Sequence, residues 1–228
     1  MFRQELYIKA YNVVLKENKD MEELIDLTHT IIDMLPVYPG DDATRLFHTK
    51  KLDRDGYCYH RLETGMHSGT HIDFPMHLVE SSKYASDFPL HNFIGKGCIL
   101  DVRNLPVIKM KTDYTDKISE NSILLLFTGQ NEKFGSEEYF SNTPVIDEEF
   151  AFMLIEKKIK ILGIDSPSPD RFPFMVHKLL LNNGIPIIEN LTNLELLLDK
   201  ANFEVIAFPL KIRADASIIR AVAKIMRD

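Results

Sequence analysis

The chain has 228 residues, of which 45% are hydrophobic and 27% charged. That is the composition of an ordinary globular protein, and it excludes disordered, collagen-like and coiled-coil chains. Its 27 basic and 34 acidic side chains give a formal net charge of -7, which argues against a nucleic acid as the main partner because binding a phosphate backbone requires a basic surface.

The cysteine content and the lack of long apolar stretches indicate the expected cellular location of the protein. Cys58 and Cys98 provide neither a disulfide framework nor a CxxC metal pair, so we expect a reducing, cytoplasmic location. No stretch approaches the roughly 20 consecutive apolar residues of a membrane span, and no membrane association is expected. Residues 1–20 also lack the uninterrupted apolar core of a signal peptide.

The sequence predicts one domain preceded by a short appendage. Residues 1–20 carry a helical apolar stripe with no proline or glycine, and a strand-like alternation begins directly after Met21. From there to the end, no tract rich in serine, glycine and proline resembles a linker. We therefore assign residues 1–20 to a peripheral N-terminal appendage and residues 21–228 to the functional domain.

Strands dominate the first half of this domain and alternate with helices in the second half. After a first strand-like stretch that ends at the turn 36–40, apolar or alternating runs predict strands at residues 45–49, 57–63, 95–102, 122–128, 159–164, 185–188 and 203–210. Helical spacing predicts helices over 147–158 and 172–183, and residues 217–225 fit either type. This order favours an α/β domain around a mixed sheet.

Chemistry-bearing side chains concentrate at residues 67–77, HSGTHIDFPMH. Three of the eight histidines and one aspartate fall within these eleven residues. Neutral imidazole and carboxylate are the usual ligands of Zn²⁺ and other first-row divalent ions. Gly69 weakens a helix and Pro75 favours an extended residue before it, so we expect a tight loop that straightens near Asp73.

The spacing within this stretch predicts a metal site. His71 and Asp73 are two residues apart, so an extended chain points both side chains in the same direction. Together with His67 they can cover one face of a metal ion and leave other positions open. His77 lies further along and is placed to act at the edge of the site as a base.

The run H-x-G-T-H-x-D-x-P-x-H resembles the signature of the cyclase-type metal-dependent hydrolases, whose best-known members are bacterial kynurenine formamidases. Residues 26–40, 128–140 and 163–197 also resemble segments of that family, so the resemblance covers most of 22–228. One departure is Gln130, which stands where the family usually carries tryptophan.

The resemblance implies a role for each residue of the site. His67, His71 and Asp73 would bind a first metal, and Asp73 would bridge to a second metal held by His177 and Glu189. His77 would transfer protons. The metal would be Zn or Mn, with one or two ions per chain, and the fold would be the swivelling β/β/α type, an α/β single domain with a mixed sheet. Members of the family usually form dimers or larger oligomers, so a homodimer or homotetramer is expected.

The expected function is hydrolysis of an amide C–N bond in a small molecule, by water that the metal activates. An aryl formamide such as N-formylkynurenine is the first candidate substrate, which would place the enzyme in tryptophan catabolism. One alternative is a cyclic-amide hydrolase, of the isatin-hydrolysing kind, or a polyketide-type cyclase of the same family. Another is a metal-binding protein without turnover, but such a protein has no need for His77 beside an open metal position.

Overall fold

The computed structural model describes residues 22–226, so the predicted appendage at 1–20 lies outside the described residues. Thirteen strands are found in this part of the chain: β1 Leu24–Asp26, β2 Arg45–Lys50, β3 Tyr59–Glu63, β4 His71–Asp73, β5 Ile94–Asp101, β6 Val107–Ile108, β7 Ile123–Phe127, β8 Val145–Ile146, β9 Ile161–Ile164, β10 Ile187–Glu189, β11 Phe203–Ile206, β12 Ala216–Ile218 and β13 Val222–Ile225. The helices are α1 Leu52–Asp55, α2 Thr112–Lys117, α3 Glu138–Ser141, α4 Glu148–Glu156 and α5 Met175–Asn182.

Nine of these strands form one mixed sheet in the order β1-β13-β11-β5-β7-β9-β10-β4-β12. The four strands β5, β7, β9 and β10 run parallel to their neighbours within that group, whereas the contacts of β4, β11, β12 and β13 are antiparallel. Two small sheets, β2-β3 and β6-β8, lie outside it. The predicted fold class, a single α/β domain with a mixed sheet, is confirmed.

The centre of the sheet is buried on both faces. Every residue of β7 is buried, and its side chains alternate between two hydrophobic clusters. Ile123 and Leu125 belong to one cluster, and Leu124 and Leu126 to the other. A strand covered on both faces reads as a continuous apolar run rather than an alternating one, which is why residues 122–128 carried so clear a strand signal.

The predicted helices form with small shifts at their ends. Asp147 caps α4, because its side chain accepts a hydrogen bond from the backbone N–H of Phe150, as expected of an N-cap aspartate. The helix predicted over 172–183 begins only at Met175, since Phe174 has a left-handed backbone with φ of 60°. Residues 217–225, which fitted either type, are strand at both ends and form parts of β12 and β13.

Among residues 22–226, no helix is long and apolar enough to cross a bilayer.

Candidate metal centre

The short strand β4 forms the floor of the site. It lies between β10 and β12, and its register places His71 opposite Glu189 and Asp73 opposite Ile187. Because side chains alternate along a strand, His71 and Asp73 point to one face while Ile72 enters the hydrophobic core on the other. All three residues of β4 are buried.

A tight loop before β4 returns His67 to the same face. Gly69 in this loop has φ of +61°, and a Cβ atom added there would lie 3.0 Å from the side chain of Leu35. The left-handed backbone therefore favours glycine at this position. The loop places Nδ1 of His67 2.9 Å from Oδ1 of Asp73, and the His67 and His71 rings meet edge to face at 5.1 Å.

His177 and Glu189, more than 100 residues away in sequence from Asp73, complete the cluster. Nε2 of His177, on α5, lies 3.1 Å from Oε1 of Glu189 and 3.8 Å from Oδ2 of Asp73. The second oxygen of Glu189 is 3.4 Å from Nε2 of His71. The structure thus gathers the other four residues expected as metal ligands around the Asp73 carboxylate.

The innermost atoms of the cluster lack hydrogen bonds. Nε2 of His71 and both carboxylate oxygens of Asp73 are buried, and none has a hydrogen-bond partner in the described part of the chain. The short Asp73–His67 distance is an ion-pair contact whose geometry is not that of a hydrogen bond. Buried polar atoms without partners are costly and rare. Nitrogen and carboxylate oxygen atoms that converge in this way fit a divalent cation such as Zn²⁺ or Mn²⁺.

Two three-residue groups in the described residues could each hold an ion. One comprises His67, Asp73 and His77, the other His71, Asp73 and Glu189, and within each group the ligand atoms lie within 4.8 Å of one another. Asp73 belongs to both, as a bridging carboxylate would. The first group includes His77, which the sequence assigned to proton transfer, so the structure also places this residue within reach of an ion.

Electrostatic coupling within the cluster is strong. Burial alone would raise the pKa of the Asp73 carboxyl, but the charge of His71 and the close approach of the His177 and His67 imidazoles hold it well below its usual range. Burial disfavours protonation of His67, yet Asp73 and Asp215 outweigh that effect and raise the pKa of His67 to about 9. The protonated His67 ring therefore places a positive charge 2.9 Å from the Asp73 carboxylate.

His77 behaves differently from its neighbours. Burial lowers the pKa of its imidazole below the ordinary value, and the opposing pull of Asp73 does not restore it. The ring lies 4.2 Å from that of His67, measured between centroids, and 29% of the side chain is exposed. His77 is thus a neutral imidazole near neutral pH, at the open side of the cluster and able to accept a proton.

Several groups that orient the histidines had no clear signal in the sequence. Asp170 accepts from Nδ1 of His177 at 2.5 Å and from two backbone N–H groups at the start of α5. The carbonyl of Gly69 accepts from Nδ1 of His71 at 2.8 Å and from the side-chain amide of Asn190. Asp170 ends the segment DSPSPD, which follows a predicted strand and fits either a pocket wall or a plain turn; Pro167 and Ser168 of this segment line the cavity. The other contacts depend on pairings distant in sequence.

A cavity of about 180 Å³ opens over the cluster. Apart from the cluster residues, much of its wall is apolar, and the aromatic and aliphatic lining residues are Pro36, Val37, Tyr38, Leu78, Phe140, Pro167 and Phe174. Gln130 does not line this cavity; it is buried and donates a hydrogen bond to the carbonyl of Tyr139 at 2.9 Å. The aromatic wall is therefore built without a contribution from position 130.

Comparison with known proteins gives one family. The family model Cyclase, described as "Putative cyclase", matches residues 25–171. An uncharacterized protein of Methanocaldococcus jannaschii is 36% identical over 205 residues, which are 88% of this chain and 98% of that protein. The kynurenine formamidase of Bacillus cereus strain ATCC 14579 is 31% identical over 207 residues, 89% of this chain and 97% of that enzyme.

Solved structures share the fold. Isatin hydrolase A from Labrenzia aggregata superposes with a TM-score of 0.82 at 22% identity, over 96% of this chain and all of that one. A potential metal-dependent hydrolase with cyclase activity superposes with a TM-score of 0.72 at 24% identity, over 91% of this chain and all of that one.

Proposed function

The chain belongs to the cyclase family of metal-dependent hydrolases, and we propose that it hydrolyses the amide C–N bond of an aryl formamide such as N-formylkynurenine. That it is an amidohydrolase agrees with the names of its relatives. The substrate is the part that the proposal adds. With N-formylkynurenine, the reaction would belong to tryptophan catabolism.

One observation supports the proposal above all: buried nitrogen and oxygen atoms without hydrogen-bond partners lie together at the bottom of a cavity with an apolar wall. Both oxygens of Asp73 and Nε2 of His71 are buried without hydrogen bonds, directly below that cavity. A structural metal site closes its coordination shell with protein ligands, whereas a catalytic site keeps a position open. The open side here faces the cavity, and His77 lies beside it.

Each residue of the cluster has a task in this proposal. His67, His71 and Asp73 would hold the first ion, and Asp73 would also help to hold a second ion with His177 and Glu189. When bound, a divalent cation supplies a Lewis acid that acidifies water and polarises an amide carbonyl. His77, neutral near pH 7, takes the proton from the attacking water and returns it to the leaving amine. Both proton transfers thus use one imidazole on the cavity side of the cluster.

The cavity matches a single aromatic ring. A cavity of about 150 Å³ lined by apolar side chains is large enough to bind benzene, and this one measures about 180 Å³. Tyr38, Phe140 and Phe174 contribute rings to its wall, which would hold an aryl group and exclude bulk water. The formyl group would then point toward the polar floor at His71 and His77.

Hydrolysis of formanilide and of N-formylkynurenine, with and without chelator, tests the proposal. We expect turnover of both, loss of turnover after chelation, and recovery with Zn²⁺ or Mn²⁺. A panel that includes isatin and a linear alkyl formamide tests the substrate class. Preference for isatin would replace the aryl formamide by a cyclic amide, and metal binding with no hydrolysis of any member would favour a protein without turnover.

We also propose that the protein forms a homodimer through the β2–β3 hairpin. In the part of the chain that the structure describes, these strands pair only with each other, and all five residues of β3 are exposed. A lone two-stranded hairpin is marginally stable in water. This one also exposes the large apolar or aromatic side chains Leu52, Tyr57, Tyr59 and Leu62.

Light scattering coupled to size-exclusion chromatography tests this assembly. We expect the mass of a dimer, or of a tetramer built from dimers, and a shift toward the monomer in Tyr59→Glu. Glu138→Gln, an exposed change on α3, serves as the control and should keep the wild-type mass. A monomeric wild-type protein would contradict the proposal.

A further inference from the structure

Asp215 lies beside the cluster although no feature of the sequence drew attention to it. It directly precedes β12, whose first residue, Ala216, pairs with Asp73. The backbone carbonyl of Asp215 accepts from the N–H of Phe74 at 3.0 Å, which fixes this loop to the end of β4. Its carboxylate, 40% exposed, is thereby brought over the open side of the cluster.

The Asp215 carboxylate contacts the outer nitrogen of His67. Oδ2 of Asp215 is 2.9 Å from Nε2 of His67, while Nδ1 of the same ring is 2.9 Å from Oδ1 of Asp73. A neutral imidazole has one N–H donor and one lone pair, and an ionised carboxylate can only accept. With Nε2–H donating to Asp215, a metal ion that replaced the inner proton of His67 would meet the lone pair of Nδ1, on the side of Asp73.

The other two histidines among the expected ligands are hydrogen-bonded through Nδ1, whereas His67 is hydrogen-bonded to Asp215 through Nε2. Nδ1 of His71 is held by the carbonyl of Gly69, and Nδ1 of His177 by Asp170. Both rings therefore direct Nε2 inward. His67 is the one member of this set that presents Nδ1 to the centre, and Asp215 is the group that enforces this.

The same carboxylate reaches the residue assigned to proton transfer. Nδ1 of His77 lies 3.5 Å from Oδ2 of Asp215, and the His77 and His67 rings are 4.2 Å apart. One carboxylate oxygen thus lies against two imidazoles that have different tasks. Because Asp215 faces Nδ1 of His77, the nitrogen that it leaves for the substrate is Nε2.

We infer that Asp215 is a positioning residue that sets His67 to bind metal through Nδ1 and seats His77 for proton transfer. This inference rests on the proposed metal site. Partners that orient ligating histidines typically contribute 10- to 100-fold to metal affinity or activity. Loss of Asp215 should therefore weaken the metal site without removing a ligand.

The variants Asp215→Ala and Asp215→Asn test the inference, with Asp113→Asn as the matched control. Asp113 is exposed on α2 and pairs with Lys117, so its change removes one negative charge outside the cluster. Zinc affinity is measured by competition with a chromophoric chelator. We expect a loss of about 10- to 100-fold for alanine, a smaller loss for asparagine, whose amide oxygen still accepts, and no change in the control.

Long-range ¹H–¹⁵N spectra of the zinc-loaded wild-type protein show which nitrogen of each imidazole is protonated and which binds metal. We expect His67 to show metal-bound Nδ1 and protonated Nε2, and His71 and His177 to show the reverse. In Asp215→Asn at saturating zinc, kcat should fall while KM stays near the wild-type value, because the substitution shifts His77 but leaves the apolar residues of the cavity wall in place.

The outcomes separate this inference from the proposed function. A wild-type protein that binds neither Zn²⁺ nor Mn²⁺ overturns both. Zinc binding that is equally tight in wild type, Asp215→Ala and Asp215→Asn, or zinc on Nε2 of His67, overturns the role of Asp215 alone. Thermal melts of the apo variants check folding, and the near-isosteric asparagine variant keeps the test valid if the alanine variant does not fold.

Discussion

Replacing His77 by alanine separates proton transfer from metal binding. His77 ends a 3-10 helix at Pro75–His77, and its ring borders the cavity between His67 and His177. Burial lowers its pKa, so the imidazole is neutral at pH 7 and able to accept a proton. A positioned general acid–base typically contributes 10²- to 10⁴-fold in rate, and at about 1.4 kcal/mol per factor of ten this is about 3 to 5 kcal/mol of activation free energy.

We therefore expect His77→Ala to keep its metal and to lose 10²- to 10⁴-fold in kcat. Formanilide hydrolysis at saturating substrate measures kcat, and elemental analysis of the same sample measures metal. His91→Ala, an exposed histidine in another 3-10 helix, should match the wild type in both. Loss of metal from His77→Ala would make His77 a ligand, as one of the two three-residue groups allows. An unchanged kcat would refute its part in the reaction.

Three further predictions concern stability. Zinc at 100 times its Kd should raise the free energy of unfolding of the wild type by about 2.7 kcal/mol. Asp73→Asn lacks the carboxylate common to both metal groups, so zinc should not change its stability in a thermal melt. Burial lowers the pKa of His29 to about 4, so the unfolded chain takes up its proton first as pH falls from 6.5 to 4, and stability is lost over that range. With a discount for partial exposure this loss is about 2 kcal/mol, and urea titrations should show it absent from His29→Phe. In Gly97→Ala the new Cβ atom would lie 2.0 Å from the Phe203 ring, and the urea midpoint should fall by the equivalent of about 1–3 kcal/mol.

Local patterns in the sequence were sufficient for the elements of the sheet centre. The run at 122–128 is apolar because β7 is covered on both faces, and the helix over 147–158 carries its own cap at Asp147. In contrast, β4 has only three residues. Its strand character comes from pairing with β10 and β12, and a local pattern does not encode such distant partners.

The residues of the candidate site also fall into those that local sequence reveals and those that depend on distant contacts. The histidine-rich stretch can be recognised from the sequence, because His67, His71 and Asp73 are close in sequence and one loop and one strand bring them together. His177 and Glu189 were assigned only through the family resemblance, since their approach to Asp73 depends on how α5 and β10 pack. Asp170 and Asp215 are isolated carboxylates in turn sequences, so their contacts with imidazoles become visible only in the folded chain.

The amount of divalent metal in the purified protein shows whether the residues around Asp73 form a metal centre. We expect Zn or Mn at about two equivalents per chain if Asp73 bridges two ions, or one if a single site is filled, and formanilide turnover in proportion to that content. Protein that hydrolyses formanilide at full rate with no bound metal, or that takes up no Zn²⁺ or Mn²⁺ when both are supplied, would contradict it.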